Sequence, residues 1–132
     1  MTKLSTGQHI LIIEHDEVMT ATYARTLRLE GYQVQTALSA EEGLREVESS
    51  HPDAIIVDFH MPGMDGFEFL RRLRALDDTT PVAVVTGDYF LDETIPAQLR
   101  ELGAEVRFKP LWLEDLATLV QCLLTSGRTR GT

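Results

Sequence analysis

The sequence predicts an α/β domain, a doubly wound (βα)5 unit with a five-stranded parallel sheet, and two observations indicate this class. Five short apolar segments alternate along the chain with segments that have the periodicity of helices. The strongest apolar segments are nearly continuous, which is typical of parallel strands buried on both faces. Because parallel strands are joined by right-handed crossovers, we expect helices to cover both faces of the sheet.

The five apolar segments are the predicted strands. β-branched and other apolar residues dominate the first, third and fourth of them, whereas the fifth is the weakest because a charged residue interrupts it. The segments are His9–Ile13, Gln33–Ala37, Ala54–Val57, Val82–Val85 and the stretch in which Val106 and Phe108 flank Arg107.

A helical pattern follows each predicted strand. The first, Glu17–Glu30, stops at Gly31, a residue common just after a helix C-terminus. Ser39 and Glu42 form a capping box that begins the second helix. Apolar stripes predict the other three helices: Phe67, Leu70, Leu73 and Leu76; Leu99 and Leu102; and Leu113, Leu116, Val120 and Leu123.

Two further features concern the surface of these helices. We expect Cys122 to be a small buried side chain on or near the stripe of the last helix. The loop after the fourth strand contains Tyr89-Phe90-Leu91, and we expect it to fold back onto the fourth helix. The alternative is an exposed apolar patch for a partner.

Composition and charge limit the classes of function. The chain has 132 residues, enough for one domain, and 21 acidic against 12 basic residues give a net charge of −9. Such an acidic chain repels nucleic acid phosphates, so we expect no direct contact with nucleic acid. The single cysteine excludes an internal disulfide and a cysteine-rich metal site.

Hydropathy indicates where the protein resides and where its domain ends. No apolar run approaches the roughly 20 residues that span a bilayer, and the polar residues 1–8 lack the apolar core of a signal peptide. We therefore expect a cytoplasmic protein without a membrane partner. We expect the domain to cover residues 8–125, with disordered tails at 1–7 and 126–132.

Polar residues follow the predicted strands where a site is expected. Ligands of open parallel sheets bind beyond the carboxyl ends of the strands. Those ends carry Glu14-His15-Asp16, Asp58, Thr86 and Lys109. Grouped carboxylates suit Mg²⁺, which works with one or two of them and a phosphate. A carboxylate beside such an ion can attack a phosphoryl group and form an acyl phosphate, while the lysine and the hydroxyl stabilise its charge.

Three motifs at these strand ends carry a family resemblance. They are Pro52–Gly66, which contains Asp58 followed by Met-Pro and Asp-Gly, then Pro81–Gly87 with Thr86, and finally Lys109-Pro110. With these motifs the chain resembles the receiver domains of response regulators over residues 8–125. The resemblance implies a flavodoxin-like fold with strand order 2-1-3-4-5 and a cis peptide bond before Pro110.

The resemblance also implies a role for each site residue. Asp58 matches the phosphoacceptor, and Thr86 and Lys109 match the residues that bind the phosphoryl group. Glu14, Asp58 and the backbone carbonyl of His60 match the ligands of Mg²⁺.

The chain departs from the pattern of the family at two places that affect this site. The family normally has two adjacent acids after the first strand, and here the second of these is His15. Histidine is a weaker ligand for Mg²⁺, which prefers oxygen, and Asp16 could add a carboxylate from the next position. The position of the switch aromatic residue, three before Lys109, is the non-aromatic Val106.

The resemblance implies a signalling domain and not an enzyme. A sensor histidine kinase or a phosphotransfer protein would phosphorylate Asp58, and the added charge would alter a face read by a downstream output protein or domain. Receivers of this family often form homodimers through helix 4, strand 5 and helix 5, and this chain could do the same.

Two alternatives stay open at this point. His15 and Val106 motivate a phosphate-independent pseudo-receiver that binds proteins constitutively. The other alternative is a phosphatase of the haloacid dehalogenase type, which also uses a strand-end aspartate, a lysine and Mg²⁺. It requires an aspartate two positions after the nucleophile, where this chain has His60.

Overall fold

The computed structural model describes the backbone of residues 7–130 and the side chains of residues 7–126. Five strands alternate with five helices. The strands are β1 (His9–Ile13), β2 (Gln33–Ala37), β3 (Ala54–Asp58), β4 (Val82–Thr86) and β5 (Ala104–Phe108). The helices are α1 (Glu17–Leu29), α2 (Ala40–Ser50), α3 (Gly66–Ala75), α4 (Thr94–Glu101) and α5 (Leu113–Arg130).

All five strands are parallel and lie in the order β2-β1-β3-β4-β5, so the predicted fold class and strand order are confirmed. The sheet is covered on both faces. Alternate residues of β1 point to opposite sides, with Leu11 and Ile13 in one apolar cluster and Ile10 and Ile12 in the other. The first cluster contains side chains of α2, α3 and α4, and the second those of α1 and α5.

The last helix is longer than the sequence indicates. The predicted domain boundary at residue 125 falls inside α5, which continues to Arg130. The rest of the predicted tails, residues 1–6 and 131–132, lies outside the described residues. Within residues 7–130, no helix is long and apolar enough to cross a membrane.

Three predictions about buried helix positions are wrong. The first residue of the predicted α5 stripe, Leu113, begins the helix and is 43% exposed. The buried face of α3 contains Phe69, Leu70 and Leu73, whereas Leu76 caps the helix end and is exposed. Successive steps of three residues drift around a helix with 3.6 residues per turn, so the stripe moves off the core before Leu76. Cys122 is likewise exposed, because the core-facing residues of α5 are Leu119, Val120 and Leu123.

The capping box at the start of α2 is present in a modified form. The Ser39 hydroxyl accepts from the Glu42 amide at 3.1 Å, as the sequence predicts. The Glu42 carboxylate, however, accepts from the amide of Leu38 at 3.0 Å. One contact satisfies a free amide in the first turn of α2 and the other an amide just before the helix, so the box still fixes where α2 begins.

Gly66, the first residue of α3, packs against the backbone of Asp58 and Phe59 at the end of β3. Its amide donates to the Phe59 carbonyl at 2.9 Å. A Cβ at this position would lie 2.8 Å from the Asp58 carbonyl oxygen and 3.0 Å from the Phe59 Cα. Because both of these are backbone atoms, they cannot move aside cheaply, and only glycine fits here without displacing the end of β3.

We therefore expect Gly66→Ala to lower the free energy of unfolding by about 1–3 kcal/mol, a typical cost of overpacking. Gly43→Ala is the matched control, because the atoms nearest to its Cβ would be side-chain atoms of Ile13 and not backbone atoms. It should cost less, since that side chain can rotate and alanine favours the helix. Urea unfolding measures both, and equal losses would contradict the backbone explanation.

Candidate functional site

The register of the sheet brings the predicted site residues to one edge. Ile13 pairs with Val57, so the next residues, Glu14 and Asp58, lie side by side. Asp58 in turn pairs with Val85, the residue before Thr86. Thr86 pairs with Phe108, and Lys109 follows. Four neighbouring strands thus deliver an acid pair, a hydroxyl and a lysine to the carboxyl end of the sheet.

A buried acid pair and one lysine form the centre of the site. The side chains of Glu14 and Asp58 are 5% and 3% exposed, so water screens their negative charges poorly. The ammonium group of Lys109 lies 3.1 Å from Oδ1 of Asp58 and 3.5 Å from Oε1 of Glu14. Two carboxylates therefore share one ammonium group, and the pair keeps an excess of negative charge.

This arrangement changes the proton affinities of the two partners of Asp58. Burial raises the pKa of Glu14 above its ordinary value, and the neighbouring Asp58 charge raises it further, against weaker opposing effects that include Lys109. Burial lowers the pKa of Lys109, but the hydrogen bond to Asp58 and the two carboxylate charges outweigh it, so this pKa lies above its ordinary value. Lys109 therefore stays charged, whereas the ionised form of Glu14 is disfavoured.

The side chain of His15 contacts the acid pair, whereas Asp16 reaches it only through its backbone amide, which donates to Oε2 of Glu14 at 3.1 Å. Nδ1 of His15 lies 3.5 Å from Oε2 of Glu14 and 3.6 Å from Oδ2 of Asp58. The carboxylate of Asp16 instead accepts from the amides of Val18 and Met19 and caps α1. The structure thus brings His15 to the site and commits Asp16 to the helix.

Thr86 and His60 lie at the site in different ways. Thr86 is buried, and its hydroxyl accepts from the amide of Asp88 at 3.0 Å. Its carbonyl accepts from the Lys109 amide at 2.8 Å, which joins the ends of β4 and β5. The His60 side chain is exposed and lies 3.6 Å from the Asp88 carboxylate, so it points away from the acid pair. The peptide bond between Lys109 and Pro110 is cis, as the resemblance implied.

Two aromatic residues beside the site were not predicted as part of it. Val106, at the position of the family's switch aromatic, is buried. Phe108 lies two residues later at the end of β5, and its ring stacks on Tyr89 with centroids 5.2 Å apart. The Tyr89 hydroxyl donates to the Lys109 carbonyl. The expected folding of this loop onto α4 is wrong for Phe90, which is almost fully exposed, and for Tyr89, which stacks on β5. Leu91 is partly buried against the core. The Tyr89-Phe90 pair in a loop was the only sequence signal, because the stack itself depends on the tertiary fold.

The acid pair and His15 have the composition of a cation site. Glu14, His15 and Asp58 each bring one ligand atom within 4.8 Å of the others. Two buried carboxylates with an excess of negative charge fit a divalent cation, which would remove their repulsion. Thus the site can hold a dication beside Asp58 and can place an ammonium group on its other side.

A comparison with protein-family models matches residues 10–121 to the response regulator receiver domain. The chain belongs to this family. It is 35% identical over 126 residues to the transcriptional regulatory protein PrrA of Mycobacterium tuberculosis, and this covers 96% of the chain and 52% of PrrA. It is 33% identical to the response regulator MprA of Mycobacterium avium over 87% of the chain and 50% of MprA.

Solved receiver structures have the same fold. A CheY-like receiver domain protein from Methanospirillum hungatei has a TM-score of 0.84 and 26% identity, over 93% of this chain and 98% of that one. The chemotaxis response regulator CheY4 of Vibrio cholerae has a TM-score of 0.80 and 28% identity, over 90% of this chain and 100% of that one. Our chain is therefore a receiver domain of the two-component type, and it spans about half the length of PrrA and MprA.

We expect Glu14→Gln to stabilise the metal-free receiver at pH 7. The pKa of Glu14 in the folded state is raised above its ordinary 4.5. The contribution of Glu14 to stability is therefore complete below pH 4.5 and is lost as the pH rises from there through the folded-state pKa. Because a neutral amide removes the charge at this position, the free energy of unfolding should rise by on the order of 1 kcal/mol, the scale of repulsion between charges a few ångström apart. Thermal unfolding in EDTA at several pH values measures this.

The gain should shrink as the pH falls toward 4.5, because Glu14 then becomes neutral in the original chain as well. Glu48→Gln is the matched control, since Glu48 is an exposed carboxylate on α2. A gain that is the same at all pH values, or equal in both variants, would contradict the assigned cause.

Proposed function

We propose that this receiver accepts a phosphoryl group on Asp58 from a phosphohistidine of a sensor histidine kinase or phosphotransfer protein. The observation that carries the proposal is the position of Asp58, a buried carboxylate between the Lys109 ammonium group at 3.1 Å and the Glu14–His15 side of the site. A phosphoacceptor needs a nucleophilic oxygen with fixed positive charge nearby, and this carboxylate has both.

The step is a simple displacement. An oxygen of the Asp58 carboxylate attacks phosphorus, an O–P bond forms, and the bond from phosphorus to the donor imidazole nitrogen breaks. The nitrogen leaves with the electron pair and becomes a neutral imidazole after proton exchange with water. Lys109 stabilises the negative charge that accumulates on the phosphoryl oxygens. Thr86 ends the neighbouring strand β4, and its hydroxyl would donate to one of these oxygens.

We propose Mg²⁺ as the cofactor, with Glu14, Asp58 and the backbone carbonyl of His60 as its ligands. A bound dication would neutralise the acid pair and the incoming phosphoryl oxygens. This role explains why the chain tolerates two buried carboxylates beside a single ammonium group.

The readout would use the aromatic contact beside Lys109. We propose that the phosphorylated site draws the Thr86 hydroxyl toward the phosphoryl oxygens and changes the stack of Tyr89 on Phe108. Phe108 ends β5 and Tyr89 lies in the loop before α4, so the stack would belong to a face of α4, β5 and α5 to which a downstream partner or a second copy binds. The domain itself acts as a switch and not as an enzyme.

PrrA and MprA are about twice as long as this chain, and PrrA is named a transcriptional regulatory protein. We propose that this receiver likewise controls an output protein or domain. The acidic receiver itself is not expected to contact nucleic acid.

Incubation with acetyl phosphate tests the phosphoacceptor directly. We expect the purified chain to gain one phosphoryl group by intact mass with Mg²⁺ and none with EDTA. Asp58→Asn should abolish the gain. Lys109→Ala should slow it roughly a hundredfold or more, the usual loss when a charge-stabilising donor is removed.

The matched control is Asp77→Asn, an exposed aspartate at φ 62, a conformation that asparagine tolerates well. It should be phosphorylated like the original chain. No gain at saturating Mg²⁺ would contradict the proposal and favour the phosphate-independent pseudo-receiver.

Thr86→Val tests the readout separately from the chemistry. We expect this variant to accept the phosphoryl group but to lose the shifts that phosphorylation causes in the amide resonances of Tyr89 and Phe108. Thr86→Ser keeps the hydroxyl and should retain the shifts. Unchanged shifts in Thr86→Val would show that the hydroxyl does not connect the site to the aromatic pair.

A further inference from the structure

One donor distinguishes this cation site from a site made only of oxygen ligands. Two of the three converging ligand atoms are carboxylate oxygens, and the third is an imidazole nitrogen. Mg²⁺ prefers oxygen ligands and dehydrates reluctantly. Dications such as Zn²⁺, Ni²⁺ and Co²⁺ accept imidazole readily. A donor set of two carboxylates and an imidazole therefore fits the dications that accept nitrogen, the second class of ion here, better than it fits Mg²⁺.

Lys109 and His15 contact different oxygens of the two carboxylates. The ammonium group lies near Oε1 of Glu14 and Oδ1 of Asp58, at 3.5 and 3.1 Å. Nδ1 of His15 lies near Oε2 of Glu14 and Oδ2 of Asp58, at 3.5 and 3.6 Å. The lysine thus leaves one oxygen of each carboxylate next to the imidazole nitrogen. One of these, Oε2 of Glu14, also accepts from the amide of Asp16 at 3.1 Å, which orients it and leaves a second lone pair for an ion.

The two separations that involve the imidazole nitrogen are close to those of ligands around one ion, and all three ligand atoms lie within 4.8 Å of one another. Ligands about 2.1 Å from a cation lie roughly 3.0 Å apart in octahedral and roughly 3.4 Å apart in tetrahedral geometry. The two separations from Nδ1, 3.5 and 3.6 Å, exceed these by only tenths of an ångström. Small side-chain rotations would close that difference.

The backbone on both sides of His15 is fixed. The Glu14 amide donates to the Ala37 carbonyl at 3.0 Å. Asp16 caps α1 through its carboxylate, so it holds the chain just after the histidine. The His15 side chain is nevertheless 46% exposed, which leaves a cation from solvent access to the site. Such a position is preorganised for a ligand and open on one side.

We propose that the Glu14–His15–Asp58 centre binds a nitrogen-accepting first-row dication of the class of Zn²⁺, Ni²⁺ and Co²⁺, with Nδ1 of His15 as a ligand. The inference rests on the cation site of the proposed function: Mg²⁺ supports phosphorylation there through the oxygen ligands, and His15 adds a nitrogen ligand that makes the site favour the second class of ion when both are present. The neutral imidazole supplies a donor without adding charge, so a dication still neutralises the acid pair. His15→Asp would convert the centre to an oxygen-only site and favour Mg²⁺.

Isothermal titration of the full chain with ZnCl₂ and with MgCl₂ tests the selectivity. Zn²⁺ binds more tightly than Mg²⁺ to most protein sites, so a tighter Zn²⁺ constant alone decides nothing. The quantity to compare between variants is the dissociation constant for Mg²⁺ divided by that for Zn²⁺. We expect this ratio to fall at least about tenfold in His15→Asp, the smallest loss usual even for residues that only support a ligand. His51→Asn, at an exposed histidine with φ 50, should leave it unchanged.

Long-range ¹H–¹⁵N spectra of the imidazole rings give a readout that does not depend on phosphorylation. Zn²⁺ should shift the Nδ1 resonance of His15, assigned by its loss in His15→Ala, and Mg²⁺ should not. An unshifted His15 signal at saturating Zn²⁺, or an equal ratio in the original chain and His15→Asp, would overturn the inference. A lower ratio in His51→Asn would also overturn it, because surface histidines would then bind the metal.

The inference and the proposed function can fail separately. Mg²⁺-dependent phosphorylation of Asp58 with an unshifted His15 signal would contradict only the inference. Binding of Zn²⁺ through His15 without phosphorylation of Asp58 under either ion would uphold the metal assignment and contradict the proposed phosphoacceptor.

Discussion

Repulsion between two buried carboxylates is the constraint around which this receiver is organised. Glu14 and Asp58 are adjacent because β1 and β3 are hydrogen-bonded neighbours in fixed register, so neither acid can move away without breaking the sheet. Burial makes their charges cost more than they would in water, and the raised pKa of Glu14 expresses that cost. A nearby cation reduces this repulsion, and Lys109 supplies one 3.1 Å from Asp58.

One ammonium group does not balance two carboxylates, and this imbalance gives the site its chemistry. The excess negative charge suits a dication, and in the function proposed above that dication would permit a phosphoryl group to approach Asp58. Lys109 also belongs to a second set of contacts, since its carbonyl accepts from the Tyr89 hydroxyl and its amide donates to Thr86. A change of charge at Asp58 therefore acts on a residue that is tied directly to the aromatic surface.

Local hydrogen bonding decides which residue after β1 reaches the acid pair. Asp16 has the better ligand chemistry for Mg²⁺, but its carboxylate is used to cap α1. His15 lies one residue earlier and points Nδ1 toward both acids. The requirement to begin a helix thus determines which side chain joins the acid pair, and with it the donor set on which the proposed ion preference rests.

The sequence by itself determined the fold class, the strand positions and the identities of Asp58, Thr86 and Lys109, because continuous apolar strands in a parallel sheet place their following residues at one edge. Only the tertiary structure decided which side chains meet there. The stack of Tyr89 on Phe108, the exposure of Leu76 and Cys122 and the choice of His15 over Asp16 depend on contacts between elements or on the rotation of a helix against the core. Periodicity predicts that a helix has an apolar face, but the packing partner sets where that face ends.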